Sequence, residues 1–69
     1  MKEFKLENNE FIELDKLLKV TGLSESGGMA KALIAEGRVK VDGAVELRKR
    51  CKIRKGQAVE FEGYKIIVT

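Results

Sequence analysis

Val39 and Val41 alternate with Arg38, Lys40 and Asp42 up to an Asp42-Gly43 pair, so the pattern predicts a hairpin strand with one apolar and one charged face. The second arm is Ala44-Val45-Glu46-Leu47. Upstream, from Met1, Lys2, Phe4 and Leu6 alternate with Glu3 and Lys5, which predicts a short N-terminal strand before a turn at Asn8-Asn9. Leu14, Leu17, Leu18 and Thr21 then recur at helical spacing. Glu13 and Asp15 lie at the positive end of that helix and Lys19 near its negative end, with Gly22 as its stop. In Ser24-Glu25-Ser26-Gly27-Gly28 either serine can cap a second helix. Its buried stripe is Ala30, Leu33 and Ile34, with Lys31 directed away from the stripe and Gly37 at the end.

Beyond the hairpin, Leu47, Cys51 and Ile53 share one parity and Arg48, Arg50, Lys52 and Arg54 the other. Lys49 interrupts the apolar set, so part of this stretch reads as an irregular loop. Lys55-Gly56-Gln57 turns into Val59-Glu60-Phe61-Glu62, and Glu62-Gly63 turns into a last strand near residues 65–68. Two helices and a small, mostly antiparallel sheet make an α+β fold. The whole of residues 1–69 reads as one domain: a strand and turn over 1–12, a core over 13–63 and a closing strand over 64–69.

Composition narrows the picture. A chain of 69 residues buries only about 60% of its unfolded surface, which leaves no room for a large cofactor. No apolar run approaches the ~20 residues of a membrane span, and the first residues lack a signal-peptide core. The single Cys51 cannot form an intramolecular disulfide, consistent with a cytoplasmic protein. Charge is segregated. Residues 1–30 hold four Lys/Arg against six Asp/Glu, residues 31–55 nine against three, and residues 56–69 one against two. An oriented basic face follows from that distribution, and a merely solvated charged surface is its bland alternative.

Catalytic readings find little support. There is no histidine, hence no imidazole base and no Ser-His or Cys-His pair. One cysteine without histidine excludes the usual structural zinc sites. Ser24–Gly28 lacks the G-x-x-x-x-G-K-[ST] pattern of a nucleotide-hydrolysing loop. A helix start at Ser26 and Gly27 can nonetheless receive a backbone phosphate, or it can be a capped helix and nothing more. Cys51 reads as a buried strand thiol, Phe4, Phe11 and Phe61 as core, and Tyr64 is open.

Over residues 14–63 the chain resembles the RNA-binding domain of the ribosomal protein S-four type, the αL motif. The carrying residues are Leu14-Asp15-x-Leu17-Leu18, Gly22-Leu23-x-x-Ser26, and Ala30-x-x-Leu33-Ile34-x-x-Gly37-x-Val39-x-Val41-x-Gly43, closed by Lys55-Gly56 and Val59-Glu60-Phe61. Over its whole length it is similar to the stand-alone YbcJ-like bacterial subgroup. The resemblance implies binding of structured RNA, commonly ribosomal, by helix two and the following hairpin. The chain departs from the family in three places: Gly27 stands where an arginine is usual, Asp42 where asparagine is frequent, and Glu13 near a usual basic position.

The expected contacts are Ser26, Gly27, Lys31, Arg38, Lys40, Arg48, Lys49, Arg50, Lys52 and Arg54. Double-stranded RNA presents phosphate ridges and a shallow minor groove, so cations arranged to its shape are what it requires. The expectation is a non-catalytic, cofactor-free, monomeric RNA-binding protein with no membrane or small-molecule partner. A small adaptor docking an acidic protein through the same face is the alternative. DNA binding fits less well, because helix two opens with Ser-Gly-Gly and carries few base-reading side chains.

Overall fold

Two helices that stop in the same way set the geometry of the chain. A computed structural model describes residues 2–69; the expectation for Met1 lies outside them. In chain order the elements are β1 (Lys2–Phe4), β2 (Ile12–Glu13), α1 (Leu14–Val20), α2 (Gly27–Ala35), β3 (Val39–Val41), β4 (Ala44–Val45), β5 (Lys52–Ile53), β6 (Ala58–Phe61) and β7 (Tyr64–Val68). After α1, Leu23 N donates to Leu18 O and Gly22 N to Lys19 O; after α2, Arg38 N donates to Leu33 O and Gly37 N to Ile34 O. Each is a 6→1 plus 5→2 closure around a left-handed residue. Gly22 and Gly37 supply it, at φ +82° and +77°.

The main sheet runs β1-β7-β6-β3-β4 and is antiparallel throughout except for the parallel β1–β7 pair; β2 and β5 form a separate antiparallel pair. The α+β arrangement read from the sequence is the one observed. At the β3–β4 hairpin Asp42 (φ +52°) and Gly43 (φ +85°) make the tight turn expected of an Asp-Gly pair, with Val41 opposite Ala44. The Asp42 carboxylate also accepts from Ala58 N at 2.9 Å and Gln57 Nε2 at 3.1 Å, tying the turn to β6. Those bonds, the Ala58 N–H foremost, hold its pKa below the ordinary carboxylate value.

Both helices cover one face of the main sheet. Leu14, Leu17, Leu18, Ala30 and Ile34 pack with Val39, Val41, Val59, Phe61, Ile66 and Val68, and Leu6 and Ile53 complete the core. The opposite face carries Lys40, Glu60 and Lys65 side by side in register, alternating in sign. Among the described residues no helix is long and apolar enough to cross a membrane.

Three sequence expectations need correction. Leu47, on the apolar parity, is 60% exposed, because regular strand pairing stops after β4 and the chain leaves the sheet. Cys51 is half-buried against the core in the turn before β5 rather than within a strand. Phe11 is half-buried yet belongs neither to the core cluster nor to the side chains packed on it, whereas Phe61 and Phe4 do.

Candidate nucleic-acid interface

The basic segment leaves the sheet at Glu46, whose N–H still donates to Val39 O of β3. The Glu46 carboxylate then gathers the first turn of the loop around itself. It accepts from Arg48 N at 2.9 Å, Arg48 Nε at 2.9 Å and Arg48 Nη2 at 3.1 Å, with Cys51 Sγ at 3.6 Å. Three donors from one residue favour the ionised acid, and its pKa is held down to about 2. The same bond pushes the Arg48 guanidinium up. Burial, reinforced by the Glu46 charge, pushes the Cys51 thiol up, so this cysteine is not a ready thiolate.

From this clasp the chain crosses the start of α1. Leu14 N donates to Cys51 O at 2.9 Å and Asp15 N to Lys49 O at 3.1 Å. Two helix N–H groups that have no partner within the helix are thus satisfied by the basic loop itself. The loop is thereby fixed, and Lys49 and Arg50 remain exposed. Neither has a carboxylate within ion-pair distance among the described residues. Arg48, Arg50, Cys51 and Lys52 line one shallow groove.

Strand β5 carries the charge onward. Its pairing with β2 sets Ile12 opposite Ile53 and Glu13 opposite Lys52. Lys52 Nζ lies 4.9 Å and the Arg54 guanidinium carbon 5.6 Å from the centre of the Phe11 ring. One ring thus supports two cations.

Helix α2 meets this region at its N-terminal half. Ser26 is the cap, its Oγ accepting from Met29 N at 3.1 Å, and Ser24 Oγ donates to Ser26 O at 3.1 Å. A Cβ added at Gly27 would meet nothing within 4 Å, so the first atom of a side chain is accommodated there. Lys31 does not simply point away from the core. Its Nζ stands 4.0 Å from Asp15 Oδ2 on the first turn of α1, and the lysine is half-buried there. The ammonium thus reaches Asp15, the one buried acid among the described residues. Through Asp15, Lys31 and the Lys49 turn share a neighbourhood.

Two expected contacts lie elsewhere. Arg38 is held by Glu36 at 3.3 Å, by Glu62, and by the Phe61 ring at 5.4 Å, beside the β6–β7 turn. Lys40 is on the sheet face away from the helices, between Val45 and Glu60. The structure therefore brings together Lys31, Arg48, Lys49, Arg50, Lys52 and Arg54, with Ser26 and Gly27 opening the adjoining helix, and separates Arg38 and Lys40 from them.

Sequence reasoning missed Glu46 and Phe11. A carboxylate two residues before an arginine was the signal for Glu46. Phe11 had none, since only the fold brings Lys52 and Arg54 over its ring.

Known proteins match this chain closely. The sequence profile of the S4 domain matches residues 4–69. YbcJ of Escherichia coli K12, named as a candidate RNA-binding protein, is 57% identical over 68 residues, which span 99% of this chain and 97% of that one. RlbA of Bacillus subtilis, named as a candidate ribosome maturation protein, is 37% identical over 57 residues, covering 83% and 80%. The solution structure of Escherichia coli YbcJ, described as an αL motif involved in RNA binding, superposes with a TM-score of 0.77 at 56% identity. That match covers 100% of this chain and 87% of the other.

Proposed function

The chain belongs to the S4 domain family, and on that premise we propose that it is a non-catalytic RNA-binding module of the cytoplasm, directed to structured RNA, with ribosomal RNA or the ribosome as its target. The observation that carries the reading is the fixed basic loop at the start of α1. Lys49 and Arg50 are exposed, with the backbone locked to the helix at Lys49 and Cys51, and Lys52 and Arg54 extend the same strip through β5. Lys31 and the open N-terminus of α2 border it. Arginine forks onto phosphate oxygens and lysine adds point charge, so such a strip follows a phosphate ridge without reading bases. The name of the Bacillus subtilis relative supports the ribosomal target.

The test is the affinity for a labelled RNA hairpin at several salt concentrations, for the unaltered protein and for Lys49→Ala and Arg50→Ala. Each substitution should flatten the log–log salt slope by about 0.7–0.9 for every phosphate no longer neutralised. Unchanged affinity and slope in both variants would overturn the assignment of the surface. Nuclease-resistant capture of an acidic protein, without direct RNA binding, would replace RNA with that partner.

A further inference from the structure

We propose that Phe11 is a positioning residue of the RNA interface: its ring holds Lys52 and Arg54 side by side so that both meet neighbouring phosphates of one RNA strand. The inference rests on the RNA-binding reading above and adds to it a residue with no charge of its own.

Phe11 is an aromatic residue that the core does not use. It is half-buried but lies outside the hydrophobic cluster and outside the side chains packed on that cluster. What covers its ring is Lys52 and Arg54. The antiparallel register explains why: Ile12 faces Ile53 and Glu13 faces Lys52, so Phe11 comes opposite Arg54 with Lys52 on the diagonal.

How the ring holds these cations differs from how the other arginines are held. Arg48 is forked by Glu46, and Arg38 is paired with Glu36 and Glu62, so carboxylates offset those charges. Among the described residues no carboxylate lies within ion-pair distance of Lys52 or Arg54. A ring restrains a cation through its quadrupole and leaves the formal charge intact. Two positions on one strand face are roughly 6.6–7 Å apart, close enough for both side chains to address adjacent phosphates. Lysine and arginine lose much side-chain freedom on binding, and restraint in the free protein reduces that loss.

The experiment compares the unaltered protein with Phe11→Leu, Phe11→Tyr, Lys52→Ala and Arg50→Ala, using the same labelled RNA hairpin across salt concentrations. In the free protein, NMR should show ring-current shifts on the Lys52 and Arg54 side-chain protons that vanish in Phe11→Leu and persist in Phe11→Tyr. Affinity should fall by about three- to tenfold in Phe11→Leu and recover in Phe11→Tyr. The salt slope should be unchanged in Phe11→Leu but flattened in Lys52→Ala, since the leucine variant keeps every charge. Thermal unfolding of Phe11→Leu should stay close to that of the unaltered protein.

Absence of the ring-current shifts removes the platform whatever the RNA result. Unaltered affinity in Phe11→Leu alongside a loss in Arg50→Ala overturns the role of Phe11 and leaves the RNA-binding reading standing. A Phe11→Leu variant that loses affinity only in step with its folding shows a structural role and also overturns the proposal. If the unaltered protein shows no salt-dependent RNA binding, the reading itself fails and takes the inference with it.

Discussion

Arg48 and Glu46 grip each other two-pronged, Nε and Nη2 of the arginine each donating to a different oxygen of the carboxylate, while the Arg48 N–H donates to one of the same oxygens. The arginine that opens the basic run is thus spent on shaping the loop. Arg48→Ala should therefore flatten the RNA salt slope less than Arg50→Ala does. Its larger effect should be on loop order, read as loss of amide protection at residues 46–51. Equal slopes for the two variants would place Arg48 among the phosphate contacts.

The same pair sets an acid limit. The Glu46 pKa is lowered from an ordinary 4.5 to about 2, so its contribution is fully present above pH 4.5 and is lost as pH falls toward 2. Asp42, also shifted down by its bonds to Ala58 and Gln57, acts in the same direction. A carboxyl-carbon NMR titration of Glu46 should give a midpoint near 2, moving up toward 4.5 in Arg48→Ala. A midpoint that does not move would show that Arg48 is not what holds the acid ionised.

Gly27→Arg should strengthen RNA binding. The position opens α2, a Cβ added there meets nothing within 4 Å, and the backbone is ordinary helix rather than left-handed. One more phosphate contact should steepen the salt slope by about 0.7–0.9. Replacing glycine within a helix also removes a backbone entropy cost, so the unfolding temperature should hold or rise. A variant that folds normally and binds with an unchanged slope would show that the α2 start lies off the RNA path.

Ile34→Ala should come close to unfolding the domain. Ile34 is fully buried between α2 and the sheet, and such truncations cost about 2–5 kcal/mol. A core of this size rarely supplies more than about 3–5 kcal/mol in total. Urea titration by circular dichroism should show the midpoint collapse, and a shift of only a few tenths of a molar would contradict the packing described.

Local chemistry was legible in the sequence and long-range placement was not. Leu14, Leu17 and Leu18 declared α1, and Asp42-Gly43 declared its hairpin, because spacing and turn preference act within a few residues. Lys40 was legible as exposed, but its face was not separable from that of Lys31, since helix placement relative to the sheet depends on packing. Arg38 has one partner near in sequence, Glu36, but Glu62 and the Phe61 ring, which complete its surroundings, come more than twenty residues later. The Phe11 platform was hidden for the same reason, with its cations over forty positions downstream. Opposite charges near in sequence, such as Glu46 and Arg48, were a readable signal that the basic run beside them obscured.

The parallel pairing of β1 with β7 sets Lys2 beside Ile66, sixty-four positions apart, while β7 is also the partner of β6. Closing so long a loop carries a large entropy cost before any contact rewards it. The helices and the β3–β4 and β6–β7 hairpins can assemble from neighbours, so β1 is the piece on which completion of the sheet waits. Until residues 2–4 are in place, β7 shows a bare edge. Substitution of exposed strip residues such as Lys49 and Arg50, which lie outside both strands of that pairing, should leave the folding rate close to that of the unaltered protein.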